Sequence, residues 1–412
     1  MKAALKLLVY EHISGGGHAD KALPASVLSE GFSMLRTLTA DFKAAGHNVT
    51  TILDTHIARF SPPIFANCII PVISCREAQE KISKLSKQAD ATYIIAPETD
   101  GVLQSFVDTL EQTGVVSLNC GTSAINKVSD KAGFYLHMKK LGLSVPNTLT
   151  FIVSDDSKEI AKSVRDCLGF PAVFKPSNGV SCSGISVVRN EEQVAGAVAK
   201  IKADSREKRF LVQELVKGIA ASVTVFSVGS RVVPVSLNRQ DVVIETHEAF
   251  SNYNGGLVPL YHPKQAEAFE VAKKLVKSVR GLNGYVGVDF VLTEKEAVVE
   301  EVNPRLTTSY VGLRQVVNFN PAQAIINAVV KRELPTQVER CGFAYFSKVE
   351  TPAPTVATLQ KIYGIDEVVS PPFPISDVAS ALVASYGSTL QKATARFREA
   401  KKRLLDTITR SG

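Results

Sequence analysis

The sequence predicts an α/β protein with antiparallel, α+β parts, and two observations support this. Residues 1–122 alternate strand-like apolar runs with helical segments, a pattern typical of a parallel α/β layer; the runs lie at 5–10, 49–53, 91–96 and 115–119. Residues 285–305 instead place two apolar runs around a short polar segment at 293–296, which is typical of an antiparallel hairpin. At 412 residues the chain is long enough for two or three domains.

Two loops in the first segment are predicted to meet a substrate. Glu11 and a three-glycine turn (Gly15, Gly16, Gly17) follow the first strand, and residues 97–100 follow a later one. Ligands of parallel sheets bind beyond the carboxyl ends of the strands. We therefore interpret Glu11 and the glycines as substrate-binding residues, with a turn of no function as the alternative.

Two lysines are candidates for binding phosphate. Lys131 follows Ser129 and Asp130, either of which can cap a helix predicted to end near Gly142. Lys175 ends a strand and enters a Gly- and Ser-rich loop, whose backbone N–H groups can approach phosphate oxygens. A surface lysine and an ordinary turn are the alternatives, and the loop lacks the order of a Walker motif.

The hairpin carries candidate metal ligands. If its turn centres on Lys295, Asp289 and Glu301 lie directly opposite each other, and Asn303 shares their face. Two carboxylates at that distance repel, and a hard cation such as Mg²⁺ prefers carboxylate and amide oxygens. A solvated hairpin edge with incidental acids is the alternative.

These segments, together with a strand at 210–218 that runs into a turn, resemble the ATP-grasp superfamily of carboxylate–amine ligases. The resemblance covers residues 123–335, with the motifs in the family's order. It implies an ATP-grasp fold behind an N-terminal parallel α/β pre-ATP-grasp domain. It also implies ATP and Mg²⁺ or Mn²⁺ as cofactors, with the metal held by the three hairpin residues. It assigns ATP binding to Lys131, Lys175, Ser181, Cys182, Ser183, Gln213, Glu214, Leu215 and Val216.

Within the superfamily, the chain resembles tyramine–L-glutamate ligases of methanofuran biosynthesis. This likeness rests on residues 10–17, on Glu30-Gly31-Phe32, on Tyr253-Asn254-Gly255-Gly256 and on residues 284–289. It implies that L-glutamate and tyramine are joined with release of ADP and phosphate. A ligase for another acid and amine is the alternative.

Amide formation by this route passes through an acyl phosphate, which mainly requires positioning and stabilisation of charge. Arg305 directly follows the metal ligands and is predicted to hold the substrate carboxylate or its tetrahedral intermediate. Arg239 is predicted to contact the γ-phosphate or the acyl phosphate, with a surface arginine as the alternative. Lys175 completes the predicted catalytic set.

One departure from the family pattern leaves two other functions open. Ala220 stands where members often carry an acidic residue that holds the ribose. This is compatible with a nucleotide-binding regulator that has lost catalysis. A carboxylase that forms carboxyphosphate is the second alternative, because Glu301-x-Asn303-Pro304-Arg305 also resembles that branch.

Composition is compatible with a cytoplasmic location, and the resemblance implies small-molecule substrates, an amino-acid carboxylate and a small amine. Six cysteines show no Cys-x-x-Cys pair, and no apolar run is long enough to span a bilayer. The net charge of +7 includes a basic segment at 392–410, where Phe397, Ala400, Leu404 and Ile408 form an apolar stripe. We expect that segment to dock on the protein, and we expect no nucleic-acid or membrane partner.

The resemblance also predicts the domain organisation. Residues 1–122 form the pre-ATP-grasp domain, 123–200 the small subdomain with the phosphate loop, and 201–335 the large subdomain with the metal site. Residues 336–412 form a C-terminal cap with the basic helix. A homodimer is expected from the family.

Overall fold

The computed structural model describes residues 4–179, 183–205 and 208–410, and its strands form three sheets. The first sheet has four parallel strands in the order β3-β2-β1-β4. Its elements are β1 (Lys6–Glu11), α1 (Ala25–Ala44), β2 (Asn48–Asp54), α2 (Thr55–Ala58), β3 (Cys68–Val72), α3 (Cys75–Ser86), β4 (Ala91–Ile95) and α4 (Val102–Gln112), with a π-helical turn at Ile13–Gly17 and a 3₁₀ turn at Thr99–Gly101.

The parallel layer is confirmed, but one of its strands was placed wrongly. Residues 115–119 form a single bridge, between Ser117 and Thr92, rather than a strand. The missing strand is β3, which contains Pro71 and lies exposed at the edge of the sheet. Proline is tolerated at sheet edges, where its lack of an N–H breaks no ladder. Such a strand therefore lacks the buried apolar run on which the prediction relied.

The second sheet has four antiparallel strands in the order β5-β8-β6-β7. Its buried core includes Ile160, Phe174, Val198 and Phe210 and is separate from the other cores of the described chain. Before this sheet the chain forms α5 (Thr122–Ser129) and α6 (Lys131–Lys140), which pack in a core shared with the first and third sheets. The elements of the second sheet are β5 (Thr148–Ile152), α7 (Ser157–Cys167), β6 (Ala172–Pro176), β7 (Ser186–Val188), a 3₁₀ turn at Glu191–Gln193, α8 (Val194–Asp204) and β8 (Arg209–Glu214).

The third sheet has eight strands in the order β13-β12-β9-β10-β11-β14-β16-β15. Its C-terminal strands therefore extend the sheet begun by β9. The elements are β9 (Ile219–Val228), β10 (Arg231–Val243), β11 (Asn252–Val258), α9 (Gln265–Lys277), β12 (Gly284–Leu292), β13 (Ala297–Asn303), α10 (Tyr310–Val316), α11 (Pro321–Ile326), a π-helical segment at Asn327–Lys331, β14 (Phe343–Pro352), α12 (Val356–Ile362), β15 (Val368–Ser370), β16 (Val378–Gly387) and α13 (Leu390–Thr409).

The basic helix α13 docks on the third sheet, as predicted. Phe397, Ala400 and Leu404 are buried in one cluster, and Ile408 packs against it. The charged residues of the helix consequently lie on its other faces. No helix within the described ranges is long and apolar enough to cross a membrane.

The hairpin formed by β12 and β13 contains a β-bulge. Near its turn Leu292 pairs with Ala297, but further along Asp289 pairs with Glu301. Glu300 is the extra residue at the register shift, since Phe290 pairs with Val299. The predicted pairing of Asp289 with Glu301 is confirmed. The bulge also gives β13 two consecutive acidic residues beside the cleft described below.

A buried polar clamp joins the first sheet to the third. Asp41 of α1 accepts hydrogen bonds from the Tyr310 hydroxyl (2.7 Å) and from Arg314 Nε (2.9 Å), both on α10. The Asp41 carbonyl also accepts one from Asn320 Nδ2 at 2.8 Å. Residues of α1 and α10 share one apolar core, so the clamp fixes the position of one sheet on the other.

We expect Asp41→Asn to lower the free energy of unfolding by about 3 kcal/mol, because the half-buried Arg314 guanidinium loses its buried, charged partner. Urea unfolding followed by circular dichroism measures this. Asp166→Asn is the matched control, since Asp166 forms an exposed pair with Arg165 and such pairs contribute about 1 kcal/mol or less. Equal losses in the two variants would show that the clamp contributes no more than a surface pair.

Candidate active site

A cleft of about 360 Å³ lies between the second and third sheets. Both sheets contribute residues to its wall, and the segment after β13 closes one end. Ten of the predicted site residues line it: Lys131, Lys175, Gln213, Glu214, Leu215, Val216, Asp289, Glu301, Asn303 and Arg305. Residues that are far apart in sequence therefore meet in one cavity, as the ordered motifs predicted.

The two predicted phosphate-binding lysines pair with acidic residues across the cleft. Lys131 Nζ lies 2.7 Å from Glu301 Oε2 and 2.7 Å from the carbonyl oxygen of Gly179. Lys175 Nζ lies 3.3 Å from Glu300 Oε2. Each ammonium group thus faces an opposite charge. The same two ammonium groups are positioned to pair with phosphate oxygens.

Local structure explains where Lys131 lies. Its helix α6 begins after Asp130, whose side chain accepts a hydrogen bond from the Gly133 N–H, as the sequence predicted for an N-cap. The backbone N–H of Lys131 donates to the carbonyl of Ser177, in the loop after β6. The helix start and this loop are therefore joined directly.

Asp289 lies where a cation would be favourable. Its carboxylate accepts hydrogen bonds from Asn303 Nδ2 (3.0 Å) and Gln240 Nε2 (3.2 Å). Burial and the neighbouring charge of Glu301 raise the pKa of Asp289 to about 7. Burial also acts to raise the pKa of Glu301, but Lys131 and Lys175 outweigh it and lower that pKa. A repelling carboxylate pair with amide oxygens nearby suits a divalent cation.

Residues 213–216 form the predicted adenine-binding segment at the end of β8. Gln213 Nε2 donates to Thr148 Oγ1 (2.8 Å), and the Glu214 carboxylate accepts from the backbone N–H and side-chain amide of Asn147. The side chains are thereby held in place, and Leu215 and Val216 follow as part of the wall. Ala220 also lines the cleft, so the departure from the family pattern lies within the site.

The predicted phosphate loop is only partly within the described residues. Gly179 and Ile185 line the cleft, whereas Ser183 lies in an exposed turn. Ser181 and Cys182 lie outside the described ranges. Their assignment to ATP binding stays a prediction.

Arg305 connects the cleft to the first sheet. Its Nε donates to Glu98 Oε2 at 2.9 Å, and its Nη1 donates to the carbonyl of Leu306 at 3.2 Å. Glu98 is 8% exposed and belongs to the loop after β4. The guanidinium is therefore held by a buried carboxylate while it lines the cleft.

Arg239 is not brought to the cleft. It lies on β10 with its guanidinium on Asp241 (Nε to Oδ1, 2.9 Å), whereas the adjacent Gln240 contacts Asp289. Successive side chains of a strand point to opposite faces, and Gln240 and Val242 line the cleft. The structure therefore places Gln240 rather than Arg239 at the cleft, and a catalytic role for Arg239 stays a prediction.

The predicted substrate residues of the first sheet also lie outside the cleft wall. The buried Glu11 carboxylate accepts from the backbone N–H of Ile13 and Ser14 and from the Ser14 hydroxyl. It also lies against Gly31 of α1, where a Cβ atom would come within 2.5 Å of Glu11 Oε1. The Tyr10 ring packs on Gly15, and Cys75 Sγ donates to the carbonyl of Gly17. The structure thus gives Glu11 and the Gly15–Gly16–Gly17 turn structural contacts, with the turn packed toward β3 and α3.

Several cleft residues were not predicted. Glu300 reaches the cleft because of the bulge, and Gln240 reaches it because of the direction in which alternate side chains of β10 point. Glu30 reaches it because α1 packs against the third sheet. A signal for Glu30 existed, because it lies in the Glu30-Gly31-Phe32 segment that supports the family resemblance. No pattern in the sequence around Glu300 distinguishes it from an outward-facing acid.

Comparisons with known proteins agree with this site. The family model described as an ATP-grasp domain matches residues 128–309, and one described as a pre-ATP-grasp domain matches residues 47–125. The chain therefore carries an ATP-grasp domain behind a pre-ATP-grasp domain, and these findings indicate an ATP-dependent ligase. The predicted fold class and family are confirmed.

The chain is similar to a tyramine–L-glutamate ligase of Methanocaldococcus fervens, with 28% identity over 335 residues, 81% of this chain and 97% of the relative. Among solved structures, an ATP-grasp superfamily protein of Archaeoglobus fulgidus is 23% identical at a TM-score of 0.63, covering 92% of this chain and 99% of that one. The biotin carboxylase of Campylobacter jejuni is 16% identical at a TM-score of 0.72, covering 96% and 90%. The two structures show the fold.

The His12 ring is packed against Gly17 of the glycine turn, and its burial makes the stability of the fold depend on pH. Burial, with smaller contributions from His18 and Lys21, lowers the pKa of His12 from 6.5 to about 4. The unfolded chain takes up a proton near pH 6.5, whereas the folded imidazole stays neutral until about pH 4. Stability present above pH 6.5 is therefore lost as the pH falls toward 4.

We expect His12→Phe to weaken this loss by up to about 3 kcal/mol between pH 6.5 and 4. Urea unfolding by circular dichroism at several pH values measures it, since the chain contains no tryptophan. His262→Phe, in a loop before α9, is the control. Identical pH slopes in His12→Phe and the unmodified protein would contradict the buried, neutral His12.

Proposed function

We propose that the enzyme joins L-glutamate to tyramine, giving γ-glutamyltyramine, ADP and phosphate. The observation that carries this proposal is the similarity to a tyramine–L-glutamate ligase over 97% of that relative's length. The cleft supports it with two lysines, a carboxylate pair and a fixed arginine in one cavity. These are the groups that acyl phosphate formation needs.

In this proposal Lys131 and Lys175 bind the phosphates of ATP. Their present partners are Glu301 and Glu300, so phosphate oxygens take over the role of these carboxylates. The adenine lies against residues 213–216, where the end of β8 supplies backbone groups and apolar side chains. Because position 220 is an alanine rather than an acidic residue, groups other than a side chain at this position must bind the ribose.

Asp289, Glu301 and Asn303 are proposed to hold Mg²⁺ or Mn²⁺. The raised pKa of Asp289, caused by burial and then by Glu301, supports this, because a cation relieves both effects. Asn303 would contribute its amide oxygen. When bound, the metal neutralises phosphate charge during phosphoryl transfer.

Arg305 is proposed to hold the substrate carboxylate. Glu98 occupies its Nε and the Leu306 carbonyl its Nη1; among the described residues Nη2 has no hydrogen-bond partner. A carboxylate oxygen of the acid attacks the γ-phosphate, ADP leaves, and the amine nitrogen then attacks the acyl carbon and expels phosphate. Arg305 keeps the acid in place for both steps.

We expect ADP release that depends on both L-glutamate and tyramine in the presence of Mg-ATP, with the amide product identified by mass spectrometry. Lys175→Ala and Glu301→Gln should each lower kcat/KM by at least about a hundredfold, since they remove charge stabilisation from the transferred phosphoryl group. Lys202→Ala, at an exposed lysine of α8, is the matched control.

Release with a different acid or amine would retain the ligase and exclude these substrates. Bicarbonate-dependent release without an amine would favour the carboxylase alternative. ATP binding without release for any pair would favour a non-catalytic regulator.

We also propose a homodimer and a cytoplasmic location. Phe65, Ile69 and Ile73 are 54%, 37% and 70% exposed beside the edge strand β3. Exposed apolar residues at an unpaired sheet edge favour association. The described cysteines are unpaired, as is usual in a reducing compartment.

Light scattering after gel filtration should give twice the mass of one chain, and Ile69→Lys with Ile73→Lys should reduce it to the mass of one chain. Charged residues on this edge remove its apolar contacts. A monomeric unmodified protein, or a dimer that persists in the double variant, would exclude an interface at β3.

A further inference from the structure

Within the described part of residues 1–122, Glu30 is the residue that lines the cleft. It lies on α1, and its contact with the cleft comes from the packing of that helix against the third sheet. Glu11 supports this position, because its carboxylate lies against Gly31, the next residue along the helix. The first sheet therefore presents an acidic group to the cleft through α1.

The Glu30 carboxylate is fixed by two other elements. Lys348 Nζ of β14 lies 2.8 Å from Glu30 Oε1, and Thr308 Oγ1 donates to Glu30 Oε2 at 3.0 Å. Lys348 Nζ also lies 2.7 Å from Ser26 Oγ. The Glu30 and Lys348 side chains are each 10% exposed. This network positions the carboxylate and uses one acceptor site on each oxygen, which leaves further lone pairs.

The other acids of the cleft already face partners in the ATP and metal regions. Glu300 and Glu301 face lysines, Asp289 faces two amides, and Glu214 bonds to Asn147. Glu30 differs because Lys348, its charged partner, does not line the cleft. Towards the cleft, this corner therefore presents a carboxylate and hydroxyl groups.

The corner lies beside the place proposed for the substrate acid. Thr308 is three residues after Arg305, and Thr307 and Ser309 line the same cavity. The pKa of the Tyr253 hydroxyl is raised well above its usual value by burial and then by the charges of Glu30 and Asp289. The hydrogen bond from Thr308 places Glu30 close to the segment that carries Arg305, where the substrate acid is proposed to bind.

We propose that Glu30 binds a primary ammonium group of a substrate, with Thr308 as a positioning residue and Lys348 as a counter-charge that the ammonium can replace. This inference rests on the proposed function and deepens it. A buried carboxylate that receives an ammonium ion forms a strong, charge-assisted hydrogen bond. The ammonium comes from one of two sources, the α-amino group of the amino acid or the amine that becomes part of the amide.

Steady-state kinetics with Glu30→Gln separates the two sources. The KM of the substrate whose ammonium Glu30 binds should rise roughly ten- to a hundredfold, as expected for loss of a hydrogen bond between charges. The KM of the other substrate and of ATP should change little. Glu80→Gln, at an exposed glutamate of α3, is the matched control. Unchanged KM values for both substrates would overturn the proposal.

Lys348→Met tests whether the pair is merely structural. Loss of the lysine leaves Glu30 without its internal counter-charge, so the KM of the ammonium substrate should fall or stay equal. A purely structural pair would instead raise KM in both single variants. Glu30→Gln combined with Lys348→Met removes both charges, which limits destabilisation of the fold. This double variant should show the raised KM of Glu30→Gln.

Binding measurements keep the inference separate from the proposed reaction. Calorimetric titrations compare tyramine with tyrosol, its alcohol analogue, and L-glutamate with glutarate, which lacks the amino group. For one of these pairs, Glu30→Gln should weaken binding of the ammonium-bearing member and leave the analogue unaffected. Failure of turnover with intact, Glu30-dependent binding would overturn the proposed function alone. Binding of both substrates that is independent of Glu30 would overturn this inference.

Discussion

Two ion pairs at the cleft position the residues proposed to bind ATP and the metal. Lys131 at the start of α6 faces Glu301, and Lys175 at the end of β6 faces Glu300. Four charges in one largely buried cavity are tolerable only because each faces an opposite charge. The bulge in β13 makes this possible, since it brings two consecutive acids to the cleft. The lysines proposed for ATP and the acids proposed for the cation therefore form one electrostatic unit.

The two walls of this cleft belong to different cores. The second sheet packs around its own cluster, which includes Phe174 and Phe210, whereas the third sheet shares its cores with the first. Polar contacts such as the Lys175–Glu300 pair therefore join the two walls at the cleft, whereas Lys131 belongs to α6, which packs in a core shared with the third sheet. A ligand that becomes the new partner of Lys175 changes a contact between the walls and leaves each core intact.

The first sheet contributes to the site indirectly. Asp41 fixes α1 on α10, and Glu98 holds the Arg305 guanidinium from behind. The turn after β1, by contrast, is filled by its own side chains, and the Glu11 carboxylate accepts hydrogen bonds from its backbone. The same helix that carries Asp41 brings Glu30 to the cleft. The function of this layer at the site is consequently to position side chains of the third sheet and to add one acid.

The sequence by itself determined the parallel and antiparallel layers, the order of the motifs and the pairing of Asp289 with Glu301. Each of these depends on local periodicity or on spacing within one hairpin. Only the tertiary structure decided the role of Glu300, the orientation of Arg239 and the presence of Glu30 in the cleft. A bulge resets the alternation of side chains, so strand phase cannot be extrapolated through it. Contact between α1 and the third sheet joins residues hundreds of positions apart, and it depends on packing, which local patterns do not encode.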